Sequence, residues 1–271
     1  MQKQIVKIFS FLLPSAMTRF AYKQLTNPQI RKLRPNELVT LDKAQKEKIS
    51  FKGFDIQTYH WPGGPDSILL IHGWEGQAGN FSDIIERLIQ EGYSVYAFDG
   101  PSHGFSSRGR TSLFEFSDLV GLMVERTGVK KLISHSFGGV ATVYGLYKNP
   151  VHSIDKYLLL TSPDRFLDRI EGVSAQVGIT DKVKQRLIRR LEEEAQLNVE
   201  ALNISSFAPQ LDVKKAMIIH DKGDKVIPIA QSKSIYRNWP VCDFVEIEGT
   251  GHFRILRTDF VIDKVVSFLE E

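Results

Sequence analysis

The residues best suited to chemistry lie in Leu132–Val140, which reads Leu-Ile-Ser-His-Ser-Phe-Gly-Gly-Val. An apolar run leads into a helical pattern, with small residues at Ser134, Ser136, Gly138 and Gly139. This is close to G-x-S-x-G, the nucleophile elbow, in which a strained strand-to-helix turn lifts a serine above a sheet. The positions two before and two after the serine must be small so that strand and helix can approach. Ser134 replaces the first glycine and brings a Cβ and a hydroxyl. The motif is weakened by this but not broken, and it draws its weight from lying between a strand and a helix.

An alcohol is a poor nucleophile at neutral pH, so it needs a base, and the base needs an orienting carboxylate. Along the chain such a serine is followed first by its acid and then by its histidine. Of seven histidines, His72 and His103 precede Ser136, while His60 and His152 occupy ordinary turn or strand-edge positions. His135 adjoins the serine and is expected to point elsewhere, because successive strand side chains diverge. His220 lies inside a strand. His252 remains, on the glycine-flanked loop Glu248–Phe253, between the last strand and the last helix.

Two carboxylates compete for the acid. Asp224 lies beyond a turn and just before Val226-Ile227-Pro228, which leads into a helix, and it is favoured. Asp221 sits at the strand end, where it is able to organise that turn. Developing negative charge on an attacked carbonyl also needs donors. Gly73 in Ile71–Gly76 lets the backbone turn so that the Trp74 amide faces the serine, and the Phe137 amide supplies a second donor. His72-Gly73 alone would read as an ordinary strand-ending turn.

Elements that hold these groups follow from periodicity. Ser67–Ile71, Tyr93–Phe98, Lys131–His135, Lys156–Leu160, Ala216–His220 and Asp243–Ile247 read as strands, several apolar throughout, as burial on both faces requires. Helical spacing marks Phe81–Gln90, Ser112–Thr127, Gly138–Tyr147 and Asp259–Leu269. The alternation predicts a parallel sheet covered on both sides. Lys48–Phe54 and Ile56–Trp61 read as an antiparallel start around Gly53. Thr161–Leu211 breaks the pattern with helix formers and reads as a cap. Its Thr180–Gln196 helix carries charges from Lys182 to Glu194, expected to face solvent. Phe166, Leu167, Ile170 and Val173 suit either a pocket wall or the cap's own packing face. The expected division is a helical extension over 1–46, a core over 47–162 and 212–271, and a cap over 163–211.

Taken together, His72-Gly73-Trp74, Asp99–Ser106, the elbow, Gly223–Pro228 and Gly251-His252-Phe253 resemble the α/β-hydrolase superfamily, and in particular its esterase and lysophospholipase-like members. The resemblance runs from about residue 67 to 270 with the motifs in the family's order. It implies an α/β-hydrolase fold, a catalytic triad of Ser136, Asp224 and His252, oxyanion donors at Trp74 and Phe137, and no metal or organic cofactor. It implies a mainly structural role for Asp99–Ser106. The N-terminal extension and the cap are not specified by it.

Composition narrows the setting. A net charge of +3 without a long basic run gives no case for a nucleic-acid partner. The single cysteine, Cys242, rules out an internal disulfide and suits a reducing, cytoplasmic compartment. It reads as a small buried hydrophobe rather than a nucleophile. No apolar run reaches the roughly 20 residues of a membrane span. Lys3 and Lys7 before Ile8–Leu13 loosely imitate a signal peptide, but Pro14 and Arg19 follow without a clear cleavage site. Ile5, Ile8, Phe9 and Leu12 fall on one helical stripe, expected to dock on the protein's own body, with a membrane surface as the alternative. The expected reaction is hydrolysis of a small carboxylic ester or thioester. The same machinery would cleave an amide or peptide bond, and a non-catalytic binding scaffold is the reading from outside enzymes.

Overall fold

The computed structural model describes residues 2–150 and 152–271. The sheet strands are β1 (Gln45–Phe51), β2 (Phe54–Trp61), β3 (Ser67–Ile71), β4 (Ser94–Phe98), β5 (Lys131–His135), β6 (Ile154–Leu160), β7 (Val213–Asp221) and β8 (Cys242–Ile247). Their spatial order is β1-β2-β4-β3-β5-β6-β7-β8. The pairs β1/β2 and β2/β4 are antiparallel, and every later pair is parallel.

Helices cover both faces: α1 (Gln2–Leu12), α2 (Pro14–Thr26), α3 (Pro35–Asp42), α4 (Ser82–Gln90), α5 (Leu113–Thr127), α6 (Phe137–Lys148), α7 (Phe166–Val177), α8 (Asp181–Ala195), α9 (Ile204–Phe207), α10 (Ile229–Asn238), α11 (Gly251–Arg254) and α12 (Asp259–Glu270). Successive strand side chains point to opposite faces, and the central strands are apolar at both parities. In β3, Leu69 and Ile71 join the core with α5 and α6, while Ile68 and Leu70 join the core with α4 and α12. β6 splits alike, with Tyr157 and Leu159 on one side and Leu158 and Leu160 on the other. This is the expected α/β architecture.

The opening hairpin turns at Gly53 as expected, but its strands differ in their bounds from the sequence reading. Lys52 and Gly53 both have positive φ, 45° and 82°, and form a two-residue turn. Phe51 and Phe54 therefore close the hairpin as a pair, and Phe54 belongs to the second strand.

Between β6 and β7 the described residues form helices joined by loops, with one isolated bridge, Arg165 to Asn203. Phe166, Leu167, Ile170 and Val173 are buried in the core beside α5 and α6, so their packing role is the one realised. Phe166 also touches a narrow cavity beside Trp74 and Phe137. The charged side of α8 is not wholly solvated. Glu194 accepts from the Tyr22 hydroxyl at 2.7 Å, and the Arg190 guanidinium lies 3.7 Å from the centre of the Tyr22 ring.

This contact anchors α2 on α8, and α3 inserts Leu41 on the opposite side of the sheet. Residues 27–34 connect α2 and α3 past the C-terminal ends of β3 and β4. Arg31 donates to the carbonyl oxygens of Ser102, Gly104 and Ser106 at 2.6–3.0 Å, and Gln29 N–H donates to Glu75 at 3.2 Å.

Helix α1 overturns the expected docking. Ile8, Phe9 and Leu12 face solvent, and the inward side chain is Ser10. The side chains of Lys3 and Ile5 lie outside those described. Helix α1 precedes α2 and turns this stripe away from the body of the protein.

Candidate active site

Strand β5 ends at His135 and helix α6 begins at Phe137, so Ser136 alone makes the turn. Its φ of 55° and ψ of −125° are costly for a residue with a Cβ. Surrounding contacts hold it there: Ser136 N–H donates to Thr161 O at 2.7 Å, and Gly139 N–H donates to Ser136 O at 2.9 Å. Helix α6 abuts the end of β3 so closely that a Cβ on Gly138 would stand 2.5 Å from Ile71 O and 2.6 Å from His72 O. Only glycine fits.

Ser134 has a different solution. Its hydroxyl meets the Tyr157 hydroxyl of neighbouring β6 at 2.9 Å, in a fully buried pair. The extra polar atom is thereby satisfied without crowding the turn. Ser134→Ala should cost about 1–3 kcal/mol in urea denaturation, because the Tyr157 hydroxyl would keep only a 3.5 Å contact with Gly139 O.

The turn after β3 lies against this elbow. A Cβ on Gly73 would stand 3.0 Å from Ser136 Cβ and 3.5 Å from Phe137 N. His72 fixes the turn, with Nδ1–H donating to Gly73 O at 2.7 Å and Nε2 accepting from Gly100 N–H at 2.8 Å. The Trp74 ring packs edge-on against His103 and Phe137, with centroids 5.1 and 5.3 Å away.

The two candidate carboxylates divide their partners cleanly. Asp221 accepts from the N–H groups of Gly223, Thr250 and Gly251 and from the Thr250 hydroxyl. It thus ties the β7 and β8 loops together. Asp224 Oδ1 accepts from Val226 and Ile227 N–H at 2.7 and 2.9 Å, and its Oδ2 lies 2.8 Å from His252 Nδ1. Burial alone would raise the Asp224 pKa, but the His252 hydrogen bond and the two amides outweigh it and hold the carboxyl at about 2. With Nδ1 engaged, Nε2 is the remaining ring nitrogen of His252. His252 and Ser136 line one cavity of about 280 Å³, shared with Trp74, His135 and, from the crossing segment, Ile30 and Lys32.

Sequence reasoning missed three of these contributors, His135, Ile30 and Lys32. His135 does not point away: its Nε2–H donates to His252 O at 2.9 Å, and the ring centres are 4.9 Å apart. The strand period places adjacent side chains on opposite faces, but His135 is the last strand residue, where both sides of the chain border the site. Ile30 and Lys32 had no local signal at all. Cys242 is buried away from the site, and burial pushes its thiol up to about 12. Among the described residues no three His, Cys, Asp or Glu side chains converge as a metal site.

Four buried histidines make folding sensitive to acid, His220 being lowered by burial like His72, His103 and His135. Burial lowers His72 to about 4 and His135 to about 3, and holds His103 well below 6.5. In the unfolded chain each takes up a proton near 6.5, which the folded protein refuses. Their contribution is therefore complete above about pH 6.5 and falls as pH drops toward the folded values, by up to about 1.4 kcal/mol per pH unit per histidine. Urea denaturation at pH 7 and pH 5 should show a loss of several kcal/mol, and His135→Gln should flatten it.

Residues 68–264 match the family described as "Alpha/beta hydrolase family". The chain is 26% identical over 121 residues to an uncharacterized hydrolase, YugF, of Bacillus subtilis, covering 42% of this chain and 44% of that one. It is 30% identical over 87 residues to a pimeloyl-[acyl-carrier protein] methyl ester esterase of Xanthomonas campestris, covering 32% and 33%. The match thus spans less than half the length of these curated relatives. Among solved structures, a putative lipase of Acinetobacter baumannii superimposes with a TM-score of 0.65 at 17% identity, covering 93% of this chain and 95% of that one. A Pyrococcus furiosus esterase superimposes with a TM-score of 0.62 at 18% identity, covering 91% and 97%. At such identities the structures speak for the fold alone. With its sheet order, its strained serine turn and the family match over residues 68–264, the chain belongs to the α/β hydrolase family.

Proposed function

We propose that this protein is a serine hydrolase acting on a small carboxylic ester or thioester, with Ser136 as nucleophile, His252 as general base and Asp224 as orienting acid. The observation that carries this reading is the 2.8 Å bond from His252 Nδ1 to Asp224 on loops that meet in the Ser136 cavity. His252 Nε2 takes the Ser136 proton as Oγ attacks the carbonyl. The Trp74 and Phe137 amides stabilise the oxyanion, and His252 returns the proton to the leaving group. Water, activated by the same imidazole, then releases the acyl group. Asp224, held ionised by the His252 hydrogen bond and its amide donors, keeps His252 in the tautomer that can accept at Nε2.

Helical residues 163–211 form a cap over the core of 47–162 and 212–271, and residues 1–46 an extension that walls the cavity. A chain with one buried cysteine suits the cytoplasm. The steps draw on the chain's own groups without a cofactor. Turnover of p-nitrophenyl esters of graded acyl length tests the reaction and ranks the acyl group together. Saturable turnover with stoichiometric fluorophosphonate labelling is expected. Labelling without turnover of any ester would point to an amide bond, and folded protein that is neither labelled nor active would leave a binding scaffold.

A further inference from the structure

Helix α1 is turned inside out relative to a helix that packs on its own protein. Ser10 faces inward with no hydrogen-bond partner for its hydroxyl, while Ile8, Phe9, Phe11 and Leu12 are 59, 46, 83 and 62% exposed. Leu13 and Phe20 extend this exposed apolar surface into α2.

Charge is distributed as unevenly. Residues 1–36 hold seven basic residues (Lys3, Lys7, Arg19, Lys23, Arg31, Lys32 and Arg34) and no acidic one, whereas the other 235 residues hold 28 basic and 32 acidic. A net +7 segment thus sits on a body of net −4. Lys7, Arg19 and Lys23 are exposed around the apolar side chains.

We propose that α1 and the start of α2 dock in the plane of an anionic lipid bilayer, with the apolar side chains in the headgroup–acyl boundary and the basic ones on lipid phosphates. An apolar face rimmed by lysine and arginine is what such an interface takes up. At 1.5 Å per residue the 11 residues of α1 span roughly 16 Å, far short of the ~30 Å hydrocarbon core, so the helix lies on the bilayer rather than crossing it. No helix among the described residues is long and apolar enough to cross. A second copy of the chain fits less well, because a two-fold contact through this face brings the like-charged Lys7, Arg19 and Lys23 of both copies together. The helix is carried on a fixed base: Tyr22 of α2 is tied to Glu194, and Arg186 reaches Ser15 at 3.2 Å.

Vesicle co-sedimentation of the full chain tests this without reference to catalysis. Binding to phosphatidylcholine vesicles with about one third phosphatidylglycerol should exceed binding to pure phosphatidylcholine and weaken as salt is added. Phe11→Gln with Leu12→Gln should lower the partition coefficient at least about tenfold. Lys7→Gln with Arg19→Gln should lower it about tenfold or more on anionic vesicles only. All four positions are exposed, so circular dichroism should be unchanged. Ser136→Ala should bind like wild type, which separates this inference from the hydrolase reading. Folded wild type that ignores anionic vesicles overturns the proposal, as does binding that survives both double variants. A dimer in sedimentation velocity, lost in Phe11→Gln with Leu12→Gln and without vesicle binding, would overturn it in favour of a second copy.

Discussion

Ser136→Ala should lower kcat/KM for a p-nitrophenyl ester by about 10³-fold to 10⁶-fold and abolish fluorophosphonate labelling, with the circular dichroism spectrum intact. The size of the effect follows from the loss of the covalent step. On the proposed reading, the Trp74 and Phe137 amides would still bind a carbonyl without Oγ, but only water would remain to attack it. The fold should tolerate the change, because Ser136 is held in its strained conformation by backbone bonds to Thr161 and Gly139 that alanine also makes. Stability should if anything rise slightly, since a polar side chain at a strained turn serves chemistry rather than packing. Retained labelling of Ser136→Ala would move the nucleophile elsewhere.

Asp224→Asn and Asp221→Asn should separate into a rate defect and a stability defect. Asparagine at 224 keeps the shape but removes the charge opposite His252 Nδ1, and it favours the tautomer that cannot accept the serine proton. A fall of about 10⁴-fold in kcat with little change in KM is expected. At 221 the carboxylate faces N–H and O–H donors on both oxygens. An amide turned either way must direct its NH₂ at one of them, so Asp221→Asn should cost about 1–3 kcal/mol by urea denaturation. Its effect on rate should be far smaller, arising through a looser loop under His252. A collapse of turnover in Asp221→Asn but not in Asp224→Asn would exchange the two roles.

The fold was legible wherever local pattern and tertiary burial coincide. Ser67–Ile71 and Lys156–Leu160 are apolar at both parities, and only a strand buried on both faces asks for that. The glycine beyond the serine was legible for the same reason: Gly138 touches main-chain atoms of the next strand, and no side chain fits between. The first hairpin strand lies three residues earlier than its composition predicts, because the Lys52-Gly53 turn, with both φ values positive, ends it at Phe51.

Sequence by itself determined that a small, strand-held serine is followed by loops bearing Asp224 and His252, since chain order and turn residues are local properties. Only the tertiary structure decided the rest. It brought Asp224 rather than Asp221 to His252 Nδ1, because the two aspartates differ by three residues of a turn whose direction depends on Val226 and Ile227 N–H. It set Ser134 against Tyr157, a residue 23 positions away on the adjacent strand. It drew Ile30 and Lys32 into the cavity wall by pinning α2 and α3 on opposite faces of the sheet. It also left the stripe of α1 facing outward, because periodicity records that a helix has an apolar face, whereas the surface available nearby decides what that face meets.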